Sequence, residues 1–315
     1  MKNRYLITGA TGFIGSNIVR ELIRRKQHVS IITRSRKLNW RLKDVGKDIE
    51  VYCANILDKS LEKAVVKAKS DFIFHLASYG IPPHENDISQ MIDVNLKGTI
   101  NLINAAKKTK FKLFINTGSC FEYGNKTKKI KEADFLEPTN DYAVIKSAIT
   151  LYCQKEAIRE KLPMITLRLF TPFGYFEEGY RLIPSVILSA VNNKPIKVST
   201  PKSVRDFTFI DDVVNAYIKT TKKDLPNGSI FNIGSGKQQN IGEVIETIIR
   251  LSKSKSEVQW GAVQKQARYL EPTMLEADLS HTKKILGWKP KNSLESGIIK
   301  TVDWFKENND LYRSS

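Results

Sequence analysis

An apolar strand that runs straight into three spaced glycines constrains this chain more than any other stretch. Tyr5-Leu-Ile-Thr8 leads into Gly9, Gly12 and Gly15, and a helical pattern opens at Ser16-Asn17-Ile18-Val19. A second apolar run, 29–32, ends in Thr33-Arg34-Ser35-Arg36. Strand, glycine turn, helix and strand within about 30 residues form the unit that binds a dinucleotide. The glycines let the backbone approach a pyrophosphate, and the helix N-terminus favours its charge. An acid closing the second strand would bond the adenosine 2′-hydroxyl and repel a 2′-phosphate. Arg34 attracts that phosphate instead, with Ser35 and Arg36 beside it, so NADP(H) is the expected cofactor.

The pattern beyond this unit repeats it. Apolar strands at 5–8, 29–33, 49–54, 72–77, 112–116 and 164–169 alternate with helical stretches such as 60–69, 88–108 and 142–160. That alternation predicts an α/β protein with a doubly wound parallel sheet and helices on both faces. Ligands bind at the carboxyl ends of such strands, so the loops after Ala77, Asn116 and Leu169 are expected to face the cofactor.

After Phe170 the regularity fades. Residues 171–174 read as a turn, 196–200 as an edge strand and 231–233 as a buried strand. Helices are expected at 183–193, 211–219, 241–251, 281–286 and 294–308. The expected organisation is a dinucleotide-binding domain over residues 1–171. A smaller lid-like α/β substrate domain spans 172–315, with segments near 205–235 returning to pack on the first.

Composition excludes several functions. No run approaches the roughly 18 apolar residues of a membrane helix. The N-terminus enters its first strand at once, leaving no room for a signal peptide. Cys53, Cys120 and Cys153 are too few and scattered for a disulfide framework, and His28, His75, His84 and His281 lack metal-ligand spacing. A cytoplasmic, metal-free protein is expected. The net charge is +18, from 51 basic and 33 acidic residues. Its lysines are spread along the chain, with modest clusters at 24–26 and 126–131 and no aromatic residues interleaved for base stacking. Nucleic acid is therefore not the expected partner, whereas a basic cleft for a doubly charged diphosphate would use some of this charge.

Tyr142 and Lys146 lie four residues apart on an expected helix and share one face. A phenol ionises near ~10, and a neighbouring ammonium favours the phenolate. Tyr142 can then exchange a proton near neutral pH. Ser119 follows the strand ending at Asn116, where its hydroxyl can hold a carbonyl oxygen while Tyr142 protonates it.

With these residues in place the chain resembles the extended short-chain dehydrogenase/reductases that act on nucleotide sugars, the NAD-dependent epimerase/dehydratase family. The resemblance is nearly full length. It rests on Thr8-Gly-Ala-Thr-Gly-Phe-Ile-Gly15, His75-Leu-Ala77, Val94-Asn-Leu-Lys-Gly-Thr99, Ser119 with Tyr123-Gly124, and Tyr142 with Lys146. It continues through Arg205-Asp-Phe207, Asp211-Asp-Val213, Asn232-Ile-Gly234 and Leu286-Gly-Trp288. The resemblance implies a Rossmann-type fold with Ser119, Tyr142 and Lys146 as the catalytic set. It implies dinucleotide contacts from Gly9, Thr11, Gly12, Phe13, Ile14 and Gly15, from Arg34, Ser35 and Arg36, and from Asn55, Ile56, Leu76, Ala77, Thr117, Tyr142 and Lys146. It implies a nucleoside-diphosphate sugar held by Ser78, Tyr79, Ser119, Cys120, Thr171 and two diphosphate arginines, Arg205 and Arg268. It also implies a homodimer built on the helices at 88–108 and 142–160.

Departures from the family pattern bear on the reaction. The 4,6-dehydratases carry an Asp-Glu pair directly after the catalytic Thr, where this chain has Cys120-Phe121; neither is a carboxylate acid or base. The active-site cysteine of GDP-fucose synthases falls at the position of Phe121, so Cys120 reads as packing at the edge of the site. Thr171 replaces a common asparagine, and Asn55 an aspartate near the adenine. Reductases consume external hydride as NADPH, whereas epimerases and dehydratases recycle theirs on NAD. Arg34 and the missing Asp-Glu pair therefore point to reduction of a 4-keto-6-deoxyhexose on a nucleoside diphosphate. The segments 39–41 and 168–174 most resemble those of CDP-abequose and CDP-paratose synthases. An epimerase or dehydratase of the same family is the alternative, and a non-catalytic NADP-binding sensor a more distant one.

Overall fold

The computed structural model describes residues 2–82, 84–263 and 273–312. All six strands expected in the first half are present: β1 (Arg4–Thr8), β2 (His28–Thr33), β3 (Ile49–Cys53), β4 (Phe72–His75), β5 (Leu113–Ser119) and β6 (Met164–Leu169). They pair in parallel in the order β3-β2-β1-β4-β5-β6. Between them run α1 (Phe13–Arg24), α2 (Ser60–Ala68), α3 (Ile88–Met91), α4 (Gly98–Ala106) and α5 (Asp141–Arg159). A π-helical turn, Ile92–Lys97, joins α3 to α4.

Side-chain alternation explains why helices cover both faces. Tyr5, Ile7, Ile31, Phe72, Phe74 and Ile115 pack on one face with Ile18, Val19 and Leu22 of α1. Leu6, Ile32, Ile73 and Phe114 point the other way, onto Leu61 and Val65 of α2, Leu102 and Ile103 of α4, and Ile145 and Ile149 of α5. Each such fully buried side chain contributes about 1.5–3 kcal/mol. A one-residue slip in register would exchange the two sets.

The second half contributes β7 (Thr171–Phe173), β8 (Ile196–Val198), β9 (Val204–Arg205), β10 (Phe207–Phe209), β11 (Ile230–Ile233), β12 (Gln239–Asn240) and β13 (Val258–Trp260). Its helices are α6 (Leu182–Val191), α7 (Ile210–Thr220), α8 (Ile241–Ser252), α9 (Ser280–Ile285) and α10 (Leu294–Glu307). β11 pairs with β6 and becomes the seventh strand of the main sheet. α7 packs beside α1, with Tyr217 against Phe74.

One local expectation changes. The stretch 171–174 holds a short strand, β7, rather than only a turn; β7 pairs with β10 alone, and such an edge tolerates the missing N–H of Pro172. The edge strand expected at 196–200 is β8, paired with β13 alone. No helix among the described residues is long and apolar enough to cross a membrane.

Candidate active site

The strand order reverses between β1 and β4, and the glycine turn sits in that crevice. Gly9 has φ +69°, and a Cβ there would lie 2.5 Å from the Ala77 backbone nitrogen. A Cβ on Gly15 would lie 2.3 Å from the Gly9 carbonyl oxygen. Backbone thus touches backbone at both positions. Gly12 caps α1 with no side-chain hydrogen bond, and the first turn holds no acid. Its N–H groups and dipole remain available to an anion. Thr11 anchors the neighbouring loop, its carbonyl accepting from Asn39 Nδ2 at 2.8 Å. Phe13 and Ile14 pack on the core, as does Leu76 at the end of β4.

At the end of β2, Arg34, Ser35 and Arg36 are exposed, and the Arg34 side chain has no ion pair among the described residues. The turn is held by the Ser35 N–H to Thr33 Oγ1 at 3.4 Å, and by Lys37 N–H to Ser35 Oγ at 3.1 Å. Beyond β3, Asn55 Oδ1 accepts the Leu57 N–H at 3.1 Å. The Ile56 side chain lies against Gly98, where a Cβ would come within 2.8 Å of it. Close backbone, an uncapped helix and a cationic strand end fit a nicotinamide dinucleotide.

Beside this cradle, α5 lies along β5. Asn140 caps α5, its side chain accepting the Ala143 N–H at 2.9 Å, and this fixes the start of the helix one residue before Tyr142. Lys146 is buried and donates to the Thr117 carbonyl at 2.8 Å. Burial lowers its pKa to about 8, against the opposing charge of Glu122. Its Nζ stands 5.8 Å from the centre of the Tyr142 ring. The Tyr142 hydroxyl is pushed up from its ordinary value, chiefly by burial, with Ser78 and the charge of Arg181 pulling down. This corrects the expectation that Lys146 lowers the Tyr142 pKa: the lysine is directed to backbone, and desolvation dominates the phenol.

Ser119 ends β5 and is buried. Its Oγ accepts the Phe121 N–H at 3.2 Å, while its own N–H donates to Glu122 Oε1 at 2.7 Å. The Thr117 hydroxyl is shared with Tyr217 at 2.6 Å, which leaves its carbonyl to Lys146. His75 is buried between Thr8 Oγ1 at 2.7 Å and Thr99 Oγ1 at 2.8 Å. Burial lowers its pKa to about 3, so it is a neutral link between β4 and α4.

Of the expected substrate residues, Ser78 and Tyr79 follow β4, Cys120 follows β5 and Thr171 follows β6. Ser78 Oγ is buried near Tyr142 and closes no well-formed hydrogen bond with a described residue. Tyr79 is held by Asn95 on the π turn, through its N–H at 2.7 Å and its carbonyl at 2.8 Å. Cys120 is core packing at 2% exposure, its thiol pushed up to about 12 by burial. Arg205 ends β9, which pairs with β12, and its Nη1 donates to the Val204 carbonyl at 2.7 Å. Thr171 is half-buried, its N–H bonding the Asp206 carbonyl at 2.9 Å. Arg268 lies outside the described residues. In the basic 126–131 cluster, Lys126 pairs with Glu137 and Lys129 with Glu276, so part of that charge is already neutralised.

Sequence reasoning missed Glu122, Arg168 and Arg181. The spacing Ser119-x-x-Glu122 is a capping-box signature and was visible in the chain. Arg181, from the loop before α6, reaches Tyr142 electrostatically and lies 3.5 Å from the buried Glu177, four residues before it. Burial raises the Glu177 pKa to about 8. Among the described residues no group of three or more His, Cys, Asp or Glu is arranged to hold a metal ion.

Comparison with known proteins agrees with this geometry. The model of the NAD dependent epimerase/dehydratase family matches residues 5–234. A UDP-N-acetyl-alpha-D-glucosaminuronate decarboxylase of Bacillus cytotoxicus is 30% identical, over 98% of this chain and 99% of its own length. The structure of an epimerase from Methanothermobacter thermautotrophicus superposes with a TM-score of 0.90 at 25% identity, covering 100% of this chain and 95% of that one. A UDP-glucuronic acid 4-epimerase from Bacillus cereus, solved with UDP-glucuronic acid and NAD, has the same fold. Its TM-score is 0.86 at 24% identity, over 98% of this chain and 100% of that one.

Proposed function

The chain belongs to the NAD dependent epimerase/dehydratase family, and on that premise we propose that it acts at carbon 4 of a nucleoside-diphosphate sugar, reducing a 4-keto-6-deoxyhexose with NADPH. The observation that supports the catalytic reading is the bond from Lys146, one turn after Tyr142 on α5, to the carbonyl of Thr117, two residues before Ser119 on β5.

When bound, the nicotinamide supplies the hydride. Gly9, Gly12 and Gly15 admit the pyrophosphate, and Arg34 with Ser35 and Arg36 takes the 2′-phosphate. Ser119 Oγ holds the ketone oxygen, and Tyr142 donates its proton to that oxygen as negative charge develops. A phenol kept protonated by burial suits that acid role. Lys146, on the Thr117 carbonyl, holds the helix that carries Tyr142 against β5. Arg205 and Arg268 anchor the diphosphate, so remote binding energy positions the reacting carbon.

The net reaction rests on two features: the cationic end of β2, and the absence of carboxylates at Cys120 and Phe121. A second reading, 4-epimerisation with a retained cofactor, is supported by the relatives named epimerases. To separate them, the protein is mixed with NADPH or NADH and a panel of nucleoside-diphosphate 4-keto-6-deoxysugars, and absorbance at the reduced nicotinamide band is followed. In parallel, UDP-sugars are incubated without added hydride and resolved by chromatography. Stoichiometric loss of NADPH supports reduction. Interconversion of UDP-sugars without it supports epimerisation, and binding without either supports a sensor.

The same reading extends to assembly. Ile88 and Ile92, with Val144, Leu151 and Ile158 on α5, are 43–63% exposed, and the last three recur every seven residues. A second copy covering this stripe makes a homodimer of paired helices. Sedimentation velocity tests it: a monomer at micromolar concentration refutes the pairing.

A further inference from the structure

Beneath Ser119 lies a buried ion pair that the proposed chemistry does not yet use. Glu122 is 0% exposed and Arg168 2%. Arg168 Nε donates to Glu122 Oε2 at 2.7 Å, and Ser119 N–H donates to Glu122 Oε1 at 2.7 Å. Burial raises the Glu122 pKa, and against it both carboxylate oxygens accept from N–H donors, one of them charged, an arrangement that favours the ionised acid. Gly118 is the only residue type that fits between them: a Cβ there would lie 2.7 Å from Glu122 Oε1 and 3.0 Å from Arg168 Cγ. The pair is therefore seated against the backbone that joins Thr117, the acceptor for Lys146, to Ser119.

Glu122 reaches both Lys146 and Tyr142 electrostatically. Arg168 lies over the Tyr123 ring at 4.5 Å and donates to the Glu132 carbonyl at 3.4 Å. Other titratable groups around Glu122 are Tyr123 on its own turn, Cys120, and Cys153 on α5; burial keeps the thiols of both cysteines protonated. Around Lys146 they are Tyr142 and Cys153 on α5 and the neutral His75 on β4.

We propose that Glu122, backed by Arg168, is a positioning residue: it fixes the Ser119 backbone from behind and sets a buried negative charge that keeps Lys146 an ammonium. The inference rests on the catalytic reading above for its purpose, but not for its test. It also explains how a lysine can stay charged in a site that excludes water. Burial alone works against the charged form, and the 2.8 Å contact of Lys146 is with a neutral carbonyl. Glu122 does not replace the missing dehydratase acid, because both its oxygens are already engaged behind the strand.

The test reads Lys146 directly. Lysine side chains are labelled with carbon-13 at Cε, the Lys146 signal is assigned by its loss in Lys146→Gln, and its titration is followed by NMR. In Glu122→Gln the midpoint falls by about one pH unit or more. That variant leaves Arg168 without its partner, so Glu122→Gln with Arg168→Met is measured as well; replacing both members with uncharged groups preserves packing. The double variant also titrates below wild type, while Glu122→Asp, which keeps the charge, stays near it. A Lys146 midpoint unchanged in the folded double variant overturns the proposal. Failure of the functional reading is seen separately, as absence of turnover in the wild type.

Discussion

Lys146 gives its ammonium to the carbonyl of Thr117 at 2.8 Å, and so binds the middle of α5 to the end of β5. With the packing of Ile145 and Ile149 on Phe114, this contact holds the helix that carries Tyr142 against the strand that carries Ser119. It also keeps the amine in a dry pocket, where burial brings its pKa down to about 8.

The first prediction concerns pH. Lys146 is protonated below about 8 and neutral above it. If its charge supports proton donation by Tyr142, kcat/KM is level near pH 7 and falls up to tenfold per unit above pH 8. A pH–rate profile that stays flat to pH 10 contradicts this role.

Tyr142→Phe removes the proton donor and keeps the ring. Turnover falls by roughly 100-fold or more, while NADPH binding, measured by nicotinamide fluorescence, changes little. Retention of near wild-type turnover removes Tyr142 from the mechanism.

Arg34 is exposed and has no ion pair among the described residues, so its replacement disturbs little else. Arg34→Ala is expected to weaken NADPH binding by roughly 10- to 100-fold and leave NADH unaffected, since one charge-assisted contact contributes about 1.5–3 kcal/mol. Equal losses for the two cofactors show that Arg34 does not read the 2′-phosphate.

Gly15→Ala places a methyl group 2.3 Å from the Gly9 carbonyl. Backbone cannot move aside as a side chain can, so the turn itself shifts. Calorimetric titration is expected to show dinucleotide affinity lost by at least roughly tenfold, with a lower melting temperature. Normal affinity in this variant means that the turn is not the pyrophosphate site.

Glu156 lies buried among Lys107, Lys155 and Arg159. Burial pushes its pKa up, but the bonds to Lys107 and Lys155 outweigh this and hold it at about 2. The folded value is below the ordinary 4.5, so this stabilisation is present above about pH 4.5 and is lost as pH falls toward 2. Acid denaturation of Glu156→Gln, compared with wild type, should show a smaller loss over that window. The variant's cost at pH 7 is modest, about 1–2 kcal/mol, because the three cations are partly exposed.

Much of the molecule was legible in the chain because its signals are local. Tyr5-Leu-Ile-Thr8 and its five counterparts are short apolar runs alternating with helical stretches, and all six became strands of one parallel sheet. Gly9 and Gly15 announced a turn that needs bare backbone. The motifs at Asp206 and Asp212 were also visible, but their work was not. Asp206 bonds backbone at Ser235, Gly236 and Ala277, and Asp212 accepts from Lys291 and Asn292. Both tie loops far apart in sequence, a role that a motif alone does not state.

By itself the sequence determined the parallel sheet, the cofactor turn, and the helix that puts Tyr142 and Lys146 on one face, because periodicity, glycine and i,i+4 spacing act over a few residues. Tertiary structure alone decided that Ile230–Ile233 joins the sheet beside β6 and that Lys146 turns to the Thr117 carbonyl. It decided as well that Glu122 and Arg168 meet beneath Ser119. Those outcomes depend on which distant groups share one dry space. Desolvation and buried charge set them, and neither exists until the chain has closed around the site.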